Sequence, residues 1–202
     1  MSTYDHLIHT FEKQETFWGD FMPPYQAYFR GHDCMPDSNF YASYRCYMKE
    51  AFIDRWPNFH SEEEYLCFIG YDMTDPWGSF DAELEFWIGN ERSKMERHII
   101  TEPTIVRVPP FTWHCPLQYI RVGKPVYLQI LIKRGRIGTF SPRLEENGMR
   151  HISYTGSSGH RPCRLDDTKQ CKFCGKCVKA TVDENEPKTA AESMARVNAE
   201  YE

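Results

Sequence analysis

An all-β barrel or jelly roll, preceded by a helical arm and followed by a cysteine-rich tail, is the architecture this sequence predicts. Three observations carry the prediction. Short apolar runs recur between residues 38 and 135, each bounded by Gly, Pro, Asp or Asn, which is the cadence of strands joined by turns. Aromatic residues make up 15% of the chain, with 13 Phe and 12 Tyr, and suit a barrel filled by large flat side chains better than an Ala- and Leu-rich bundle. No helix-length amphipathic segment interrupts residues 38–135, which argues against an α/β fold with crossover helices.

Taken in order, residues 1–37 form the arm. Leu7, Ile8, Phe11, Glu15 and Trp18 leave an apolar stripe at helical spacing, Ser2 can cap its start, and Gly19, Pro23 and Pro24 end it, so a helix is expected from Ser2 to about Phe17. After the turn residues Gly31, Asp33, Pro36 and Asp37, the run Phe40 to Ile53 is dense in Tyr, Phe, Cys and Met and reads as one long strand. Further strands are expected at Tyr65 to Ile69, Glu83 to Ile88, His98 to Ile100, Thr104 to Val108 and Val126 to Ile132. Residues 38–135 thus make the barrel, and 136–202 an extension: Gly, Ser, Arg and Pro dominate its first part, a cysteine cluster follows, and Lys188 to Glu202 is expected to form a short exposed helix or to fray.

The net charge of −5 and the lack of a Lys/Arg stripe interleaved with aromatics exclude nucleic acid as the expected partner and leave a small molecule. No uncharged apolar run approaches the ~20 residues that span a bilayer, so no membrane contact is expected. The N-terminal residues lack an export leader, which puts the chain in the cytoplasm and reads its 8 Cys as thiols and metal ligands rather than disulfides.

His60 and Glu64 stand in HSEEEYLCFIG, where a loop runs into a strand, and His114 lies in VPPFTWHCPL, after paired prolines end another. Two imidazoles and a carboxylate on a rigid frame, with positions left open, suit Fe(II), and also Mn, Zn or Ni. The alternative for each histidine taken singly is a buried ring hydrogen-bonded to backbone. Glu62 and Glu63 read as solvent-facing charges, and Glu96 with His98 as a second candidate pair on an exposed strand face.

The order of these residues resembles the cupin superfamily: His60, Glu64 and Gly70 follow its first motif, and Pro109, Pro110, His114 and Pro116 its second. Asn58 stands where the family usually has its first His, so the resemblance implies three strong ligands with Asn58 a weak fourth. Trp113 fills the turn where the family has Gly, and its ring is expected to cap or line the pocket. Cupin-like barrels often pair through edge strands, and the arm could swap, so a homodimer is implied.

If polar groups on otherwise apolar strands line the cavity, Tyr44, Cys46, Arg107, Tyr127 and Gln129 are the candidates. Arg107 would clamp a substrate carboxylate bidentately, or else lie on the wet face between Val106 and Val108. Without a register, alternation cannot choose the face.

Cys171, Cys174 and Cys177 occur as C-x-x-C-x-x-C, with Cys163 upstream and Gly175 giving the flexible backbone of a tight turn. A four-thiolate Zn or Fe site is the leading reading. A ferredoxin-type cluster, His160 in place of a thiol, or reactive thiols beside Lys172, Lys176 and Lys179 are the alternatives. A barrel site joined to a tail cysteine site resembles bacterial hydroxyanthranilate dioxygenases in architecture. Cys34, Cys46, Cys67 and Cys115 read as small buried hydrophobes.

Overall fold

The structure is a computed structural model, and it describes residues 4–16, 20–35, 37–133, 137–144, 150–157 and 187–200. Two antiparallel sheets face each other across one core. The larger has the strand order β1-β2-β3-β11-β6-β9 and the smaller β4-β10-β7-β8. In chain order these strands are β1 (Glu12–Glu15), β2 (Tyr25–Arg30), β3 (Tyr41–Tyr47), β4 (Ala51–Asp54), β5 (Phe59–His60), β6 (Glu64–Gly70), β7 (Ala82–Gly89), β8 (Glu96–Ile100), β9 (Thr104–Val108), β10 (Trp113–Val122) and β11 (Val126–Ile132). A third sheet runs β13-β12-β5, where β12 is Ile137–Leu144 and β13 is Arg150–Ser157.

The period-two alternation of the sequence is what closes the barrel. Along β6, Glu64, Leu66, Phe68 and Gly70 are buried while the residues between them are half-buried, and on β11 Val126, Leu128, Ile130 and Ile132 point the same way. From the opposite sheet Leu84 and Phe86 on β7 and Leu117 and Tyr119 on β10 meet them. Tyr47 and Tyr119 stack across the gap with centroids 4.3 Å apart, so the two sheets share a dry aromatic interior.

Four expectations change. The N-terminal helix is replaced by a 3-10 turn at Asp5–Leu7 and by strand β1, whose Glu12 faces Tyr28 and whose Glu15 faces Tyr25 on β2. The helical stripe is real in sequence, but Ile8 is 78% exposed: the ladder of a neighbouring strand outweighs a stripe that has nothing to pack on. The single strand from Phe40 to Ile53 divides into β3 and β4, which belong to different sheets, because Met48 to Glu50 carry the chain from one sheet to the other.

β10, ten residues long, is a strand not among those expected; its Pro116 lies where the register shifts between His114 and Leu117, an irregularity at which proline is tolerated. The C-terminal helix, Ala190–Ala199, is docked rather than exposed. Thr189 accepts from the Glu192 amide at 3.1 Å while the Glu192 carboxylate accepts from the Lys188 amide at 2.9 Å, closing the helix start from both sides. Its Met194 and Val197 then bury against Met95, Trp56, Trp87 and Trp113.

No helix among the described residues is long and apolar enough to cross a membrane.

Candidate metal centre

His60 ends β5 and Glu64 begins β6, so a three-residue loop carries the chain from the three-stranded sheet into the six-stranded one. His114 arrives from the far side of the barrel. The turn at Pro109 to Thr112 aims the chain into β10, with Phe111 in the left-handed region at φ 61° and its amide donating to the His60 carbonyl at 2.7 Å. Asn58 and His114 then exchange backbone hydrogen bonds of 3.0 and 2.9 Å. These main-chain bonds seat the two histidine segments side by side before any side-chain chemistry operates.

One donor atom from each of His60, Glu64 and His114 lies within 4.8 Å of the others, and the residues are only 7%, 4% and 2% exposed. Glu64 Oε2 is 3.7 Å from His60 Nε2 and 3.3 Å from His114 Nε2. His114 Nδ1 is 3.0 Å from the Thr112 carbonyl, so Nδ1 carries a proton and donates, which turns Nε2 toward Glu64. Glu64 Oε2 has no hydrogen-bond partner although it is fully enclosed. Burial alone would push the Glu64 carboxyl up and the His114 imidazole down. Their mutual attraction overcomes it, so Glu64 is held below the usual carboxylate range and His114 above the usual imidazole range.

A cavity of about 190 Å³ opens beside these groups. Its walls include Leu66, Leu117, Leu128 and Ile130, and its polar lining includes Asn58, Cys115, Arg45, Tyr41, Tyr47 and Asp54. Asn58 is half-buried and its Nδ2 donates to the Trp56 carbonyl at 3.4 Å. Burial holds the Cys115 thiol well above its usual range, which keeps it protonated next to His114. Asp54 is exposed as well as lining, and so stands where the cavity meets solvent.

The proposed substrate clamps fall on the opposite face of their strands. Arg107 is 60% exposed and pairs at 2.6 Å with Glu63, which also accepts from Tyr65 at 2.5 Å and Lys133 at 3.2 Å. Those three donors, Tyr65 first, hold the Glu63 carboxyl down to about 2. The residues of β11 that reach the cavity are Leu128, Ile130 and Ile132, leaving Tyr127 exposed and Gln129 half-buried on the outer face. The same inversion holds on β3, where Arg45 rather than Tyr44 or Cys46 looks inward. Arg45 is the residue the sequence reading missed. Its only signal was the alternation Tyr41, Ser43, Arg45, Tyr47, which one inward neighbour would have oriented.

Trp113 turns away from the cavity, packing edge-to-face on Phe59 at 4.7 Å and against the C-terminal helix. Glu62 is buried rather than solvent-facing. Glu96 and His98 are exposed on β8. Cys34, Cys46 and Cys67 are half-buried, Cys115 is buried, and none of the four is in a disulfide among the described residues. Cys163, Cys171, Cys174 and Cys177 lie outside the described residues.

No protein-family model and no curated protein sequence matches this chain. Among solved structures it is similar to oxalate decarboxylase from Bacillus subtilis, with 10% identity and a TM-score of 0.41 over 70% of this chain and 30% of that one. It is similar also to vicilin from Corylus avellana (hazelnut), with 11% identity and a TM-score of 0.40 over 71% of this chain and 34% of that one. The chain therefore spans about a third of the length of these proteins.

Proposed function

We propose that this chain is a metal-dependent cupin enzyme acting on a small polar or aromatic acid, its leading form a mononuclear non-haem metal oxygenase. The observation that carries the reading is the enclosed Glu64 Oε2, which has no donor to satisfy it and stands between two imidazoles. Acceptors that converge in a buried space without a donor call for a cation. Two imidazoles and one carboxylate fit Fe(II) with open positions, and Mn, Zn or Ni fit the same donors. His60, Glu64 and His114 would hold the ion, and Asn58 lines the same cavity as a weak fourth ligand at most.

A bound ion of this kind supplies Lewis acidity or O2 activation at its open positions. The Thr112 carbonyl fixes the His114 ring, the apolar walls from β6, β10 and β11 exclude water, and Asp54 at the mouth is the carboxylate placed to exchange protons with a substrate.

A metal-dependent isomerase or lyase of a small acid or sugar uses the same ligands, and a ligand-binding or sensing barrel needs no turnover at all. Metal analysis of protein purified anaerobically, followed by oxygen-uptake screening against small aromatic and thiol acids, separates these. Substrate-dependent uptake at an Fe-loaded site is the expected result. Conversion of a substrate without oxygen consumption would move the assignment to the isomerase or lyase class, and tight binding with no product would make the barrel a sensor.

The spacing of Cys163, Cys171, Cys174 and Cys177 supports a second ion, Zn or Fe, in the tail. The described cysteines, none of them in a disulfide among the described residues, fit a reducing compartment such as the cytoplasm.

For a homodimer, the outer face of the six-stranded sheet is a better seam than its edge. The edge strand β1 reads Glu-Lys-Gln-Glu, charges that oppose edge-to-edge pairing. The outer face instead carries exposed Tyr25, Tyr44, Ile105 and Tyr127, flanked by the exposed arm residues Leu7, Ile8 and Phe11. Together these leave on the order of 800 Å² of apolar surface, about what each partner buries in a standard interface. Sedimentation at twice the 23.9 kDa chain mass is expected, with Ile105→Arg sedimenting as a monomer that keeps its metal. A wild-type monomer at micromolar concentration would rule the seam out.

A further inference from the structure

His60 and His114 face the cavity, and the residues beside them face the other way. Neighbouring side chains on a strand leave it on alternate sides, so Phe59 lies behind His60 and Trp113 behind His114. Neither ring lines the cavity. They meet on the far side of the same backbone, edge to face with centroids 4.7 Å apart, and join the two histidine segments a second time, beyond the main-chain bonds between Asn58 and His114.

The C-terminal helix backs the Trp113 side of this contact. Its Met194 and Val197, 2% and 0% exposed, pack on Trp56, Trp87, Trp113 and Met95. Three polar contacts fasten it. The Ala190 amide donates to Gln118 Oε1 on β10 at 2.8 Å, Ser193 Oγ donates to the Arg55 carbonyl at 2.6 Å, and Arg92, in the link from β7 to β8, pairs with Glu200 at 2.5 Å. Two of these anchors belong to the segments that deliver the ligands: β10 carries His114, and Arg55 lies in the link that leads into β5 and His60. A helix of ten residues is marginal by itself in water, so this one owes its helicity to docking. It is a unit that can be released while the barrel stays folded.

We propose that the docked C-terminal helix, acting through the Phe59 and Trp113 pair, positions His60 and His114 for the ion, so that helix docking and metal binding strengthen each other. The proposal rests on the metal-dependent reading above and deepens it by naming what holds the ligands from outside the cavity. Met194, Val197 and Trp113 are positioning residues, and none of them lines the cavity. Donors already set in place lose less freedom when the ion arrives. Such coupling is reciprocal: the factor by which docking raises metal affinity equals the factor by which the ion suppresses release of the helix. A helix that only plugs the surface would show neither effect.

The test uses the full-length protein under anaerobic conditions, with Fe(II) and Mn(II) as probes. Equilibrium dialysis gives the ion affinity, the barrel ion being the one absent from His114→Ala. Hydrogen exchange of the helix amides is followed with and without the ion. Only amides that exchange faster than those of β11 are compared, since they report local release rather than global unfolding. In wild type the saturating ion is expected to slow helix exchange about tenfold, within the roughly 5- to 150-fold range of ordinary couplings. In His114→Ala it does not slow it. Val197→Asp, which puts a charge on the packed face, is expected to free the helix, leave β11 protected and weaken ion binding by the same factor. Val197→Ala is intermediate in both.

Helix exchange indifferent to a bound ion overturns the proposal, as does Val197→Asp with a released helix and wild-type ion affinity. Should Val197→Asp fail to fold, exchange in wild type and Val197→Ala still decides. Wild type that binds neither ion at the barrel site sinks the metal-dependent reading and this proposal with it, whereas a bound ion without coupling sinks this proposal alone.

Discussion

Replacing His114 with alanine removes about one divalent ion per chain and leaves a folded barrel. The imidazole supplies one of three strong donors, and even indirect supports of a metal ligand are worth 10- to 100-fold in affinity, so loss of the ligand itself costs more than about 100-fold. Stability reports the same event. A ligand present at 100 times its dissociation constant stabilises the native state by about 2.7 kcal/mol, which for a chain of this size raises the melting temperature by roughly 5–10 °C. Wild type should show that increment between chelator-treated and metal-loaded samples, and His114→Ala should melt alike in both. Unchanged ion stoichiometry in the variant would remove His114 from the site.

Acidity acts through the same atom. Without an ion, Glu64 holds the His114 imidazole above its ordinary range, and a proton on Nε2 occupies the lone pair an ion would use. Metal occupancy is therefore full at alkaline pH and falls as pH drops through that raised value. Equilibrium dialysis across the pH range checks the sign: occupancy that rises on acidification contradicts it.

Phe86→Ala carries the largest expected loss of stability. Phe86 is 1% exposed on β7, and truncating a buried phenylalanine costs about 3–5 kcal/mol through lost transfer free energy and the cavity left behind. That is a large part of the ~5–15 kcal/mol a domain has. The denaturation midpoint should fall with little change in slope. Phe86 also stands 6.5 Å, centroid to centroid, from the His114 ring, so its removal loosens one wall against which that imidazole is set. Leu84→Ala, equally buried on the same strand and paired with Tyr119, is the control. Both variants lose stability, and Phe86→Ala alone weakens metal binding. Equal metal affinity in the two would show that backbone bonds, not the phenylalanine ring, hold His114 in place.

By itself the sequence determined the class of fold and the identity of the three buried donors. Strand-length apolar runs and turn residues are local signals, and β9 and β11 follow them to the residue. His60, Glu64 and His114 were legible because their spacing to Gly70 and to the paired prolines matches a motif. Their convergence was not, since it depends on the backbone exchange between Asn58 and His114. Tertiary structure alone decided which face of each strand looks inward. Alternation has a period of two, so without a register every inward set has an equally regular outward twin. That is why Arg107, Tyr127 and Gln129 stand outside while Arg45, two residues from the buried Tyr47, stands within. The N-terminal segment obeyed the same physics: its helical stripe needed a surface to cover, and the open edge of β2 offered backbone partners instead.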